Sequence, residues 1–299
     1  MDDAAAAANA SRDWSNLKAV LCVLGSTGIF AVIFTSGRFA GDLASPLQIM
    51  FLRYTGGFLT VVAIAVLRGE TWGSMQSSHR LNQASRALAG GLGGAATIFA
   101  NAHMPLVDAN AIGLLSGVFL IGLGVVVLGE RLPLVRIAGG LSCIAGAVTV
   151  MAARGALTSV DASYLLPAAV ALLGAVLLAV EGLFIKILAM SDRPLVTLAH
   201  ANFFGMLILL VPAALTWGAG GPANLLILML GPLAIFGQYL NIRGNMLTNV
   251  SVLAPVGYVS LIYAALLGWL FFMEIPTPGV VAGAALIVIG GTVIALSRR

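Results

Sequence analysis

The sequence predicts an all-α integral membrane protein, with ten transmembrane helices forming two inverted five-helix repeats. Three observations carry this expectation. The 299 residues are 60% hydrophobic and only 9% charged, with a mean hydropathy of +1.04, whereas a soluble domain carries about 25% charged residues. Ten apolar runs approach the ~20 residues that a bilayer crossing needs. The second half of the chain also echoes the first at a nearly constant offset. So hydrophobic a chain is not disordered either. The net charge of +4 comes from scattered basic residues that form no nucleic-acid face. Cys22 and Cys143 sit inside apolar runs and read as small packing residues, too few for a disulfide framework or a metal site.

The runs fall at 17–37, 46–67, 85–104, 108–128, 134–153, 164–187, 194–217, 223–246, 250–273 and 277–296. The breaks near Met104-Pro105 and at 244–250 are the weakest, so ten is the count and nine the alternative. Pro46, Pro194, Pro222 and Pro276 stand at span starts, where a missing N–H costs nothing. Residues 1–16 begin Met1-Asp2-Asp3 and lack the basic front of a signal peptide, so span 1 is expected to stay uncleaved behind an N-terminal tail. The longest loop, 68–85, is too short for a soluble domain. Basic residues concentrate in cytoplasmic loops. With the N-terminus inside, the inner face receives Arg12, Lys18, Arg68, Arg80, Arg86, Arg131, Arg136, Lys186, Arg193, Arg243, Arg298 and Arg299. The outer face receives only Arg38 and Arg154, and Arg53 lies within span 2. Both termini are therefore expected in the cytoplasm, which requires an even span count.

Residues 107–151 match 251–295 at an offset of 144 without a gap. The pairs are Gly113/Gly257, Ser116/Ser260, Leu123/Leu267, Gly124/Gly268, Glu130/Glu274, Ala138/Ala282, Gly139/Gly283 and Gly146/Gly290. In so apolar a chain the glutamate pair is the persuasive one. Asn101/Asn245 extends the match. A second echo, at offset 148, pairs Arg38 and Pro46 with Lys186 and Pro194. The expected organisation is a tail at 1–16, a first repeat at 17–153, a second at 164–296 and a cytoplasmic tail at 297–299. Five spans per half force the second half to be inverted. Inverted repeats recur in secondary transporters, with substrate near the midplane between them.

Here the chain resembles a known family. Asn245, Ser251-Val252-Leu253-Ala254-Pro255, Leu267-Gly268-Trp269, Glu274, Pro276, Gly283 and Gly290-Gly291 look like a second EamA-type repeat. Leu128-Gly129-Glu130-Arg131-Leu132 looks like the end of the fourth helix of the first. The EamA-type proteins belong to the drug/metabolite transporter superfamily, and the chain is similar to its ten-helix YddG-type amino-acid and metabolite exporters. One departure is Met273 before Glu274, where the family usually has glycine. The resemblance implies a central cavity lined chiefly by spans 3, 4, 8 and 9, in a bacterial inner membrane.

An ionisable residue inside a span is a functional candidate because burying it is costly. Glu181 lies about 20–25 Å along span 6 from its outer end, and His200 roughly 9 Å into span 7 from its inner end, so the two can meet. Arg53 lies about 10 Å into span 2 from the outer side. The duller readings are that Glu181 pairs with Lys186, that Arg53 snorkels outward, and that His200 is structural. Glu181 aligns with Ile33 at offset 148, so a structural role common to both halves does not explain it. It is placed to carry a proton or to hold an ammonium group. Glu130 and Glu274 read mainly as caps of short turns, with gating the alternative. Asn101, Gln238, Asn241 and Asn245 suit substrate binding or helix–helix hydrogen bonds. Ser26, Thr27, Ser116, Tyr258, Ser260 and Tyr263 lie near mid-depth, where substrate is expected.

Gly90–Gly94, Gly113–Gly117 and Gly279–Gly283 have the spacing of close helix packing. Gly91-Leu92-Gly93-Gly94-Ala95-Ala96 imitates a dinucleotide fingerprint but follows no strand, and that match is rejected. Pro232 and Pro255 fall inside spans 8 and 9 and are expected to act as hinges.

Enzyme chemistry is not expected: there is no His-Glu-x-x-His, and no aspartate pair deep within the spans. Gly113-Leu114-Leu115-Ser116-Gly117 misses the serine-nucleophile pattern by one residue. The expected function is export of small metabolites, foremost amino acids, by alternating access. The alternatives are export of lipophilic cations, for which Glu181 supplies the acid, and a passive channel. A sugar-phosphate site wants several buried Lys or Arg, and only Arg53 is plainly intramembrane. The expected partners are the bilayer and a small-molecule substrate, with no nucleic acid, metal or other cofactor, and a monomer as the assembly. On this topology, cysteines placed at Ser159 and Gly220 label from outside intact cells, and one at Ser77 labels only after permeabilisation. Labelling of Ser77 from outside contradicts it.

Overall fold

The structure is a computed structural model describing residues 2–71, 73–128, 134–153, 162–188, 191–219, 221–247, 256 and 259–296, with side chains from Leu17 onward except at 121, 128, 136, 151, 162, 163, 186, 245, 246, 291 and 294–296. Among these residues every regular element is helical. Helix α1 spans Asp2–Ala40, so the tail expected at 1–16 continues span 1 as helix from Asp2. Then follow α2 (Pro46–Leu67), α3 (Arg80–His103), α4 (Leu106–Gly113), α5 (Leu115–Leu128) and α6 (Leu134–Ala153). The second half holds α7 (Ala162–Leu188), α8 (Pro194–Leu215), α9 (Ala223–Leu228), α10 (Leu230–Leu247), α11 (Ser260–Phe272) and α12 (Pro278–Leu296). Six helical stretches are long and apolar enough to cross a membrane, and three shorter apolar helices lie in α6, α11 and α12.

Helix α3 completes the ten expected spans, and it is the least hydrophobic long helix of the bundle because it occupies the interior. Its glycines and alanines, with Gln83, Arg86 and Asn101, are buried against α7, α8, α1 and α2. Lipid-facing helices need apolar side chains all round, whereas an interior helix needs small ones that admit close neighbours.

The two halves meet through their own equivalents. Tyr54 and Asn202 are 148 residues apart, as are Gly57 and Gly205. Tyr54 lies over Gly205, where a Cβ would come within 2.7 Å of the ring, and Asn202 lies over Gly57. The same exchange occurs at offset 144, between α6 and α12. A Cβ on Gly146 would sit 2.6 Å from the Gly283 carbonyl oxygen, and one on Gly283 would sit 2.6 Å from that of Gly146. Gly290 meets Gly139 in turn. Reciprocal contact of this kind is the signature of a two-fold axis. In each pair the residue number rises along one helix as it falls along the other, so equivalent helices run antiparallel. The repeats are therefore inverted, as the sequence predicts.

Spans 4 and 8 each carry a one-residue irregularity at which the backbone stays in the right-handed helical region. α4 gives way to α5 at Leu114, and α9 to α10 at Met229, next to the missing N–H of Pro232. Close packing holds at Gly90–Gly94, which meet Glu181 and Met50, and at Gly279–Gly283, which meet Ala153 and Gly146. Gly113 and Gly117 flank the irregularity in span 4, and no described atom lies within 4 Å of a Cβ placed at either.

The loops are tied in pairs. Ser77 and Gln83 donate to Asp192 at 2.6 and 2.8 Å, and Arg193 to Glu70 at 2.8 Å. The Arg193 guanidinium and the Ser74 hydroxyl hold the Glu70 carboxyl below the usual carboxylate range. Ser77 is buried in this contact, which makes its exposed neighbour Ser78 the better topology reporter. At the other ends of the same helices, Gln48 is fully buried and joins Asn224 and the Gly218 amide at 2.7 and 2.8 Å.

Candidate functional site

Four polar side chains converge where α2, α3, α7 and α8 meet. Tyr54 is wedged between Gly91 of α3 and Gly205 of α8. Arg53, one residue earlier, places its guanidinium 4.1 Å from the centre of the Tyr54 ring and is 4% exposed. It does not snorkel. Arg86, one turn beyond Gln83 along α3, is also 4% exposed. Its Nε lies 3.9 Å from Oε1 of Glu181 on α7. Glycine at position 90 makes room for that acid, since a Cβ there would come within 2.6 Å of the Glu181 carboxyl carbon. Gly90 beneath Glu181 and Gly91 beside Tyr54 are consecutive on α3, which brings the acid and the ring together. Arg53 Nε, Arg86 Nε and Arg86 Nη1 lack a hydrogen-bond partner.

The repeat supplies an internal control. At the offsets 148 and 144 fixed by the helix contacts, Arg53 corresponds to Ala201, Glu181 to Ile33 and Arg86 to Leu230. Ala201 and Ile33 are buried, and Leu230 packs against an apolar core. The same backbone thus closes without charge in the sister position. Nothing in the fold calls for the cluster.

Other expected residues lie elsewhere. His200 hydrogen-bonds Val196 of its own helix and neighbours Phe204, and the partner of Glu181 is Arg86, not His200. Asn101 donates to the Phe34 carbonyl at 3.0 Å and ties α3 to α1, leaving its Oδ1 buried and unbonded. The Tyr263 hydroxyl donates to the Leu24 carbonyl at 3.2 Å, with its ring against Gly28. Gln238 keeps a buried, unbonded Oε1. Ser116 and Ser260 are half-buried, Ser116 just after Leu114 in span 4 and Ser260 at the first position of α11. Tyr258, Pro255 and Glu130 lie outside the described residues, as do the side chains of Lys186 and Asn245. Asp108 begins span 4 and is fully buried in the first turn of α4, where the helix dipole favours an acid.

Glu274 does more than end a turn. Met273 closes α11 in the left-handed region at φ 55°, which costs a non-glycine residue about 1–2 kcal/mol and accounts for the family's usual glycine there. The turn brings Glu274 back over Gly268. Its Oε2 accepts from the Leu106 amide at 3.0 Å, capping α4, and its Oε1 pairs with Arg38 of α1. Arg38 also donates to the Met104 carbonyl and lies 4.5 Å from the Phe272 ring centre. This clasp joins α1, the α3–α4 turn and the α11–α12 turn at one face.

Arg86 and Tyr54 were missed by sequence reasoning. Arg86 counted as a loop charge because it lies near the start of its span. The low hydropathy and small-residue face of α3 were the available signals that the helix is interior and its arginine with it.

The family model of the EamA-like transporter family matches residues 17–152 and 165–296. The chain belongs to the EamA-like transporter family. It is a multi-pass membrane transporter and not an enzyme. Curated relatives include the pseudopaline exporter CntI of two Pseudomonas aeruginosa strains, 31% identical over 205 residues, 67% of this chain and 69% of the relative. A solved crystal structure matches with a TM-score of 0.60 at 18% identity, covering 96% of this chain and 97% of that one, which shows the fold.

The sister position predicts the outcome of a charge-removing exchange in this transporter. Arg53→Ala, Arg86→Leu and Glu181→Ile together install the apolar set already present at 201, 230 and 33. Replacing buried ion pairs by apolar groups is often neutral or stabilising by about 1–4 kcal/mol. The triple variant is expected to melt in detergent at or above the parent temperature and to lose transport. Failure to insert and fold contradicts the reading that the cluster is dispensable to the fold.

Proposed function

We propose that the protein exports amino acids and related small metabolites across the bacterial inner membrane by alternating access, with both termini in the cytoplasm. The observation that carries this reading is the buried Arg53–Arg86–Glu181 cluster, with guanidinium donors unoccupied. An amino acid offers a carboxylate and an ammonium close together. Two arginines suit the first, as charge-assisted and bidentate donors, and Glu181 suits the second. A lipophilic cation would meet Glu181 only in the company of two positive charges, which disfavours that alternative.

Family membership and the likeness to a relative named as an exporter support export as the direction. In this reading the two-fold relation lets the halves exchange roles. The Arg38–Glu274 clasp holds closed the face opposite the N-terminus, and release there requires it to open. The irregularities at Leu114 and Met229, the latter beside Pro232, allow spans 4 and 8 to bend, and Pro255 is proposed to do the same for span 9. Asn101, Gln238, Ser116, Ser260, Tyr258, Tyr263 and His200 complete the candidate lining.

Counterflow in liposomes tests the assignment. Purified protein is expected to give saturable exchange of labelled amino acid, which a passive channel does not, and Glu181→Gln is expected to lower its rate by about tenfold or more, the loss of one charged hydrogen bond. An unchanged rate, substrate ranking and pH profile in a folded Glu181→Gln variant would remove Glu181 from the site.

A further inference from the structure

The buried cluster is out of charge balance. Arg53 and Arg86 bring two positive charges and Glu181 one negative, with each arginine 4% exposed. The ion pair between Arg86 and Glu181, at 3.9 Å, is too long for a hydrogen bond. The Tyr54 ring softens the charge of Arg53 through its face but accepts none of its Nε–H. Three guanidinium nitrogens therefore lack a hydrogen-bond partner, and a planar guanidinium fork matches the paired oxygens of a carboxylate or a phosphate, between which charge decides. Ile33, Ala201 and Leu230 occupy the equivalent places in the other half, so the excess charge is not a by-product of the fold.

We infer that the cluster selects an amino acid carrying one net negative charge, a substrate with a second carboxylate such as glutamate or aspartate. This deepens the amino-acid reading and rests on it. Arg53 and Arg86 take carboxylate oxygens on their bare donors, and Glu181, seated over Gly90, takes the ammonium. A neutral zwitterion leaves one buried positive charge unbalanced, and a cationic amino acid leaves two. A monoanionic amino acid brings the site to neutrality. A phosphate dianion overshoots it and sets its own charge against Glu181.

The test compares acids with their amides, which keep the shape and remove the charge. Protein in liposomes is offered labelled L-glutamate, L-aspartate, L-glutamine, L-asparagine, L-lysine and glucose 6-phosphate. The acids are expected to exchange at least about tenfold faster than their amides, the effect of one charge-assisted hydrogen bond. Arg53→Gln erases that ratio and Arg53→Lys keeps its direction. Thermal stabilisation of the purified parent protein by glutamate over glutamine gives the same comparison without any variant. Amides moving as fast as acids overturns the charge inference while leaving amino-acid export standing. Exchange of glucose 6-phosphate ahead of the acids overturns it in favour of a phosphate site. Failure of every amino acid to exchange overturns both readings.

Discussion

Antiparallel contact between each half and its own equivalent sets where everything else in the bundle can lie. Gly57 beneath Asn202 and Gly205 beneath Tyr54 let α2 and α8 approach. Gly146 against Gly283 does the same for α6 and α12. Between lipid-solvated helices there is no hydrophobic driving force, so association rests on such close van der Waals approach. A side chain at any of these glycines would part the halves. With the halves fixed this way, α3 is forced inside. An interior α3 is what allows Arg86 to be buried.

Departures from the two-fold relation are then informative. Most exchanged contacts are between small or apolar groups that serve both halves alike. Arg53, Arg86 and Glu181 have no charged counterparts, and a charged residue buried within a span is costly. Symmetry explains the fold; its local loss marks the chemistry. The Arg38–Glu274 clasp is different in kind. It sits at a helix end, satisfies the first amide of α4, and acts as cap and tether together.

Much of this was legible in the sequence. Ten apolar runs gave the spans, and the offsets read from Pro46/Pro194 and Glu130/Glu274 were the ones that later matched the helix contacts. Glu181 and Arg53 stood out because charge inside an apolar run is conspicuous. Arg86 did not stand out, because a charge near a span start looks like a loop charge until its helix is known to lie inside the bundle. His200 was paired with Glu181 from depth alone, and depth says nothing about which face of a helix a side chain occupies. Glycine spacing foretold the close approaches at Gly90–Gly94 and Gly279–Gly283, because a missing Cβ is what such an approach needs. The left-handed Met273 was visible only as a departure from the family pattern, and the turn geometry supplied its meaning.

The central claim is that substrate carboxylate fills the bare donors of Arg53 and Arg86. Solid-state NMR in bilayers, with carboxyl-labelled glutamate and labelled arginine side chains, measures it directly. The account predicts carboxylate-to-guanidinium carbon distances of about 4 Å, as in hydrogen-bonded pairs, and loss of that signal in Arg53→Gln and Arg86→Gln. Bound glutamate with no carboxylate carbon within about 5 Å of either guanidinium carbon, too far for a direct hydrogen bond, would contradict it.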